Sequence, residues 1–257
     1  MELLKKFILS NTSLYIYGVF LVLILWFLLS LSQGVGNLVF PTPFAVFGEM
    51  FSLLGNAKTY GWIGFSLLRT LEGFGIAFIF AIIFGSLAGN FPKLQTLFKP
   101  LIIVLKSAPT AAFVFLFIVL TNASQATIFI VWMLAFPILY ESVVAGINNI
   151  DKNVLDALKV DSKNGIKALV KIKIPLAVPY IVVGIASSFA LSFKTEIMAE
   201  IITGNTDNGL GNIIRGFRNL DPSDLTPIFA ITLIAIIIIL IVDLAGFFVK
   251  RHFEKKA

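Results

Sequence analysis

The chain has no cysteine, a single histidine and few charges: Asp, Glu, Lys and Arg together make up 13 % of 257 residues. Without cysteine, a disulfide-stapled scaffold and a cysteine-based metal or redox centre are both excluded. Soluble domains average about 25 % charged residues, so a soluble globular enzyme could not keep this much apolar surface out of water. An intramembrane enzyme would want a His/Asp or Ser/Lys constellation, and the only histidine, His252, lies in a basic tail. Disorder is excluded by what is abundant. Hydrophobic residues reach 58 %, with 26 Phe, whereas disordered chains are polar and poor in aromatics. An integral membrane protein remains.

A helix needs about 20 mostly apolar residues to cross the hydrocarbon core. Six stretches qualify, at residues 14–31, 71–91, 97–120, 126–147, 176–202 and 228–249. The expected fold is therefore an all-α integral membrane protein with six transmembrane helices in a single domain. Lys5 and Lys6 precede the first stretch, as in a signal peptide. That stretch is too long for an ordinary signal core and lacks a small-residue cleavage site, so an uncleaved span is expected. Basic residues orient the bundle. Fourteen of them, including Lys93, Lys99, six lysines between Lys152 and Lys173, and Lys250 to Lys256, fall on one face, against Lys58, Arg215 and Arg218 on the other. Both termini are expected to be cytoplasmic. The net charge of +6 then follows from topology and needs no nucleic-acid partner.

The loops differ in kind. In the outer loop 32–68, Phe44, Phe47, Phe51 and Leu54 recur at helical spacing behind Pro43. This predicts an amphipathic helix over 43–55, lying on the outer surface. The outer loop 203–226 is polar and rich in Gly and Asn. The inner loop 148–175 is long, basic and helix-forming, with one helix expected over 151–159 and a second over 164–173. Asp161 and Ser162 stand where they could cap the second. Two readings are open: a docking surface for another protein, or a basic helix resting on anionic membrane lipid.

This inner segment, DALKVDSKNGIKALVKIKIP, resembles the cytoplasmic EAA motif of importer-type ABC permeases. Aligned on Pro175, Asp156, Ala157 and Leu158 stand for Glu-Ala-Ala, Ser162 for the motif's Gly, Ile172 for its Ile, and Ile174-Pro175 for Leu-Pro. Ser162 is the main departure, since Gly would permit a left-handed turn that Ser replaces by capping. Other segments are similar, in order, to the nitrate/sulfonate/taurine group of these permeases. They are Phe40-Pro41-Thr42-Pro43, Ser66-Leu67-Leu68-Arg69 with Gly73-Phe74, Lys106-Ser107-Ala108-Pro109, Ala199-Glu200, and Gly204 with Gly209-Leu210-Gly211.

The resemblance implies a type I importer-like transmembrane subunit in a bacterial inner membrane, working beside a second permease copy or homologue. It implies a separate cytoplasmic ATP-binding subunit carrying ATP and Mg, and an extracellular or periplasmic solute-binding protein. The chain itself would hold no cofactor and no metal, and it has no G-x-x-x-x-G-K-[ST] phosphate cradle. The coupling residues would be Asp156, Ala157, Leu158, Ser162, Gly165, Ile166, Leu169, Ile172 and Pro175. Gly209, Leu210 and Gly211 would meet the binding protein. Both a small anion and a vitamin-like precursor fit the group. An ATP-independent transporter or channel is the alternative; it would favour inverted repeats, and none stands out between residues 1–125 and 126–257.

Within the spans, Gly73, Ala77, Ala81, Gly85 and Gly89 form a ridge of small residues at four-residue steps. Such a ridge admits close helix approach, within the chain or to a second subunit. Ser188, Ser192, Thr195, Glu196 and Glu200 share one side of the fifth span. Charges inside a span face a protein interior or a wet cavity, so this side is a candidate translocation path, with a structural ion pair as the other reading. Lys106 and Pro109 are added to the path, since Pro109 would break the third span and free carbonyls. Lys106 could instead snorkel to the inner surface. Arg69 and Glu72 are placed to pair with each other, Glu200 could sit at the outer surface, and Glu141 and Asp243 could be merely solvated.

Overall fold

A computed structural model describes residues 11–31, 40–160, 166–204 and 208–254. Its regular elements are helices: α1 (Asn11–Leu31), α2 (Pro43–Leu54), α3 (Ala57–Asn90), α4 (Pro92–Ser107), α5 (Thr110–Leu120), α6 (Ala123–Asn148), α7 (Lys152–Val160), α8 (Ile166–Ala168), α9 (Ile174–Thr203), α10 (Leu210–Leu220) and α11 (Thr226–Glu254). A π-helical turn, Leu169–Lys173, joins α8 to α9. Five continuous helical segments are long and apolar enough to cross a membrane, and the bent pair α4–α5 would make a sixth.

Two compact units divide the chain, Met1–Thr59 with Ile214–Ile234, and Tyr60–Ile213 with Ala235–Ala257. In the first, α2 starts where Pro43 fits the first helical position and the Thr42 hydroxyl accepts the Ala45 N–H at 3.2 Å. Val46, Met50 and Leu53 are buried, while Phe44 and Phe51 are 77 % and 67 % exposed. The phenylalanine face expected from spacing is therefore largely exposed, with Phe44 edge-on to Phe27 of α1 and Phe47 half-buried. Trp26 of α1 donates its indole N–H to the Pro41 carbonyl (3.1 Å) and packs beside Phe47 and Phe229.

In the second unit α3, α6 and α9 form the core. The small-residue ridge of α3 packs within the chain. A Cβ on Gly73 would lie 2.5 Å from the Ile128 carbonyl oxygen, and one on Gly85 or Gly89 would lie 2.9 Å from the Cβ of Val143 or Ile147. Ala77 and Ala81 are fully buried. Gly146 faces Ala177 and Gly184 faces Ser142 in the same manner, bringing α6 against α9. Between lipid-embedded helices no hydrophobic drive exists, so this close van der Waals packing carries the association.

The expected third span is not one helix. α4 and α5 meet at 97°. Pro109 has no N–H to continue the ladder and disfavours a helical residue before it; Ala108 adopts φ −64°, ψ 130°. The Ser107 hydroxyl donates to the Ile103 carbonyl (2.9 Å) in the turn before the break. Three other boundaries differ from expectation. α3 begins at Ala57, well before residue 71. Part of the outer loop 203–226 is a helix, α10, in which Leu210, Ile213, Ile214 and Phe217 recur at helical spacing. The second inner helix is not separate, because α8 runs through the π-turn into α9, with the Ile174 N–H bonded to the Leu169 carbonyl.

Candidate functional site

In the segment expected to face inward, Asp151 accepts the Asn153 N–H (2.7 Å) and so caps α7. Leu158 and Leu169 are 8 % and 2 % exposed and pack inward, Leu169 in a cluster with Ile150, Ala177 and Ile181. Both side chains are buried in this chain, and Leu169 holds the segment to its own bundle. Asp156, Ala157 and Pro175 are exposed and Ile172 is half-buried. Ile166 is 67 % exposed. Val170, four residues on and absent from the motif, is 56 % exposed on the same face. Lys173 donates to the Asn90 side chain, tying this segment to the end of α3. Ser162 and Gly165, and the Asp161–Ser162 cap, lie outside the described residues.

The polar side of α9 is buried in this chain. Ser188, Ser192, Thr195, Glu196 and Glu200 are all at most 5 % exposed. Their hydroxyls turn back on their own helix, Ser188 to the Gly184 carbonyl (2.5 Å), Ser192 to Ser188 (2.7 Å) and Thr195 to Leu191 (2.9 Å). Helical polarity marks a side that avoids lipid, and here that side is the protein interior. Neither carboxyl oxygen of Glu196 has a hydrogen-bond partner among the described residues. Lys194 is exposed on the opposite side.

Glu200 is the centre of a buried network, which corrects its expected place in a path or at the outer surface. Its carboxylate accepts from Arg69 Nη1 (2.8 Å), from the Ser66 hydroxyl (2.9 Å) and from the Gly211 N–H (2.8 Å). Arg69 donates further to the Asn208 carbonyl (2.6 Å) and the Ser124 hydroxyl (3.2 Å), and the Leu210 N–H reaches Ser66 (2.9 Å). Arg69 thus pairs with Glu200 rather than with Glu72, which is exposed. Gly209, Leu210 and Gly211 are buried here, so they are corrected as contacts for an outside protein. Gly209 has φ +140°, and a Cβ on it would run into the Glu200 carboxylate. Three sequence segments that looked like separate landmarks, around Ser66–Arg69, Ala199–Glu200 and Gly209–Gly211, converge in one structure.

Lys106 does not stand alone. Its ammonium lies between both carboxylate oxygens of Glu141 (2.9 and 2.8 Å), and the two side chains are 48 % and 49 % exposed. Glu141 is thereby paired rather than merely solvated, and sequence spacing gave no sign of this partner 35 residues away. Glu141 lines two adjoining grooves. One, of about 560 Å³, is bordered by Gln95, Thr96, Lys99, Tyr140 and Asn148. The other, of about 610 Å³, is bordered by Ile138, Ser142, Pro179, Tyr180 and Val183. Pro109, at the elbow that follows Lys106, is exposed. Among the described residues no group of His, Cys, Asp and Glu could hold a metal ion.

Residues 77–256 match the family of binding-protein-dependent transport system inner membrane components. The chain is similar to a probable ABC transporter permease protein of Brucella melitensis biotype 1, with 27 % identity across 72 % of this chain and 74 % of the relative. It is similar to the nitrate import permease protein of Leptolyngbya laminosa, with 29 % identity across 74 % of this chain and 67 % of that one. It is also similar to a putative aliphatic sulfonates transport permease protein of Bacillus subtilis, with 22 % identity across 77 % and 73 %. Its fold matches a chain of the MetNI methionine ABC transporter in an inward facing conformation, at a TM-score of 0.67 and 17 % identity, covering 79 % of this chain and 97 % of that one.

Proposed function

The chain belongs to the family of binding-protein-dependent transport system inner membrane components, the permease subunits of ABC importers, and from that premise we propose how it works. Two permease copies, or this one and a homologue, form the pore, with both termini cytoplasmic. A solute-binding protein delivers a small solute from outside. A separate cytoplasmic subunit hydrolyses ATP with Mg, and its motion enters this chain through the segment from α7 to the π-turn. The permease does no covalent chemistry. The names of two relatives make nitrate and aliphatic sulfonates the first solutes to assay.

One observation carries the coupling role. Ile166 and Val170 form an exposed apolar pair, flanked by Lys167 and Lys171, at the end of the helical run that leads into α9. Large apolar groups left on a lysine-bearing cytoplasmic face suit burial in a partner's groove. The solute's route is assigned to the face bearing Lys106 and Glu141. A half-exposed charged pair turned to hydrocarbon would be costly, and intramembrane charges face a protein or a wet cavity. This route replaces the Ser192/Glu196 side of α9.

The test is co-purification from detergent with a co-expressed candidate ABC ATPase subunit, followed by uptake in vesicles. Ile166→Asp with Val170→Asp should abolish ATPase retention and uptake while the thermal melt of the permease stays unchanged. Full retention of the ATPase by this double variant would refute the assignment. So would uptake by the permease alone in vesicles lacking nucleotide.

A further inference from the structure

We propose that Glu141 is a built-in counter-ion: it occupies the Lys106 ammonium while the route is empty, and the anionic group of a passing solute displaces it. The inference rests on the route assigned above and adds the residues that read solute charge.

The argument begins with the charges of this face. Lys106 and Glu141 neutralise each other at 2.8 Å, yet both remain about half exposed. Lys99 borders the first groove and is exposed. The carboxyls of α9 that would have opposed an anion are elsewhere: Glu196 and Glu200 are 0 % exposed, and Glu200 is held by Arg69. Of the groove-lining side chains Lys99 and Glu141 carry charge, and the Lys106 ammonium, bound to Glu141, makes two lysines against one carboxylate on this face. Neutral polar residues stand with them, Asn148 and Gln95 with their amides.

Geometry supplies the exchange. A single ammonium between two carboxylate oxygens is a compact, non-directional contact that another oxyanion can reproduce. Glu141 sits on α6 about 10 Å from that helix's inner end by helix rise, where both grooves share it. Lys106 is the last residue but one of α4, just before the elbow at Pro109. A relative shift of α4 and α6 would part the pair and strand two charges in a confined, weakly screening space. A carboxylate, sulfonate or similar oxyanion arriving there would take the place that Glu141 leaves. A cation would find a surplus of its own sign, and a neutral solute would leave Lys106 uncompensated.

The absence of native cysteine makes a direct test possible. Ala145 borders both grooves, and Ala145→Cys is a small change. In membrane vesicles of the full chain, this thiol is reacted with an anionic and a cationic methanethiosulfonate reagent, sulfonatoethyl and trimethylammonioethyl. Each rate is normalised to the reagent's rate with free mercaptoethanol. With the pair intact, a modest anionic preference is expected. Adding Glu141→Gln should raise that preference by about tenfold, and adding Lys106→Gln as well should abolish the gain. The charge swap Lys106→Glu with Glu141→Lys keeps a strut but relocates the ammonium; uptake of the solute carried by the wild type should fall by at least tenfold. If the thiol labels readily but Glu141→Gln leaves the preference unchanged, or the swap transports normally, the counter-ion role is overturned and the route stands. If neither reagent labels Ala145→Cys in any vesicle orientation, the route itself is overturned.

Discussion

Arg69 and Glu200, 131 residues apart, form a 2.8 Å ion pair that is almost wholly enclosed, at 11 % and 0 % side-chain exposure. Enclosed ion pairs hold only when their remaining donors and acceptors are met, and here Ser66, Ser124, Asn208 and Gly211 meet them. The pair fastens α3 and α9 to the chain entering α10.

Arg69→Ala would leave the Glu200 carboxyl buried and short of its cation. Loss of one partner of such a pair costs about 3–5 kcal/mol. A large fall in detergent melting temperature is expected, greater than for Ser124→Ala, whose hydroxyl only receives the longer 3.2 Å bond from Arg69. Equal melting of the two variants would show that the pair contributes little.

Gly73 and Gly75 are two residues apart on α3 and should respond oppositely to a methyl group. At Gly73 the added carbon meets the Ile128 carbonyl at 2.5 Å and Val131 at 2.8 Å, whereas at Gly75 nothing lies within 4 Å. Overpacking of this kind costs about 1–3 kcal/mol. Gly73→Ala should lower stability by that order and Gly75→Ala should be neutral or slightly stabilising, as read by melting.

Gly209 and Gly216 offer the same contrast on the outer side. Gly209→Ala places a side chain at φ +140° and against the Glu200 carboxylate, so it should disrupt the network and the start of α10. Gly216 lies within α10 with open space around it. There Ala should stabilise by about 0.5–1 kcal/mol through helix propensity.

Leu169→Asp should fail differently from the Ile166/Val170 variant. Leu169 is 2 % exposed, and an unpaired buried carboxylate is strongly unfavourable. The expected outcome is lost melting stability of the permease itself, measured before any partner is added. A Leu169→Asp chain that melts like wild type would place this side chain outside the core.

Much of the architecture can be read from local pattern. α2 announces itself through Thr42, Pro43 and periodic apolar residues, and the apolar lengths of α1, α6 and α11 are those of spans. The break between α4 and α5 is signalled by Pro109, but its 97° angle is set by packing that no local pattern encodes. α10 was hidden by composition, since Gly and Asn suggest a loop while Leu210, Ile213, Ile214 and Phe217 keep helical spacing. The site was less legible. A polar stripe such as Ser188 to Glu200 is the same string whether it faces water or protein. Arg69 has a nearby acid in Glu72, so local pairing pointed away from a partner on another helix. Likewise EAA-type spacing picks out the segment proposed for coupling, but not which of Leu158, Ile166, Leu169 and Val170 turn outward.

From Ile166 to Thr203 the helical backbone is unbroken for 38 residues, about 57 Å at 1.5 Å per residue. Under the proposed coupling, a tug at the Ile166 end would travel to Glu200 along this single run, which can yield at the π-turn Leu169–Lys173 and at Pro179. Because Glu200 clasps Arg69 and Gly211, a tilt of the Glu200 end would carry α3 and the chain entering α10 with it, so under the proposed coupling the two ends of the bundle would move together.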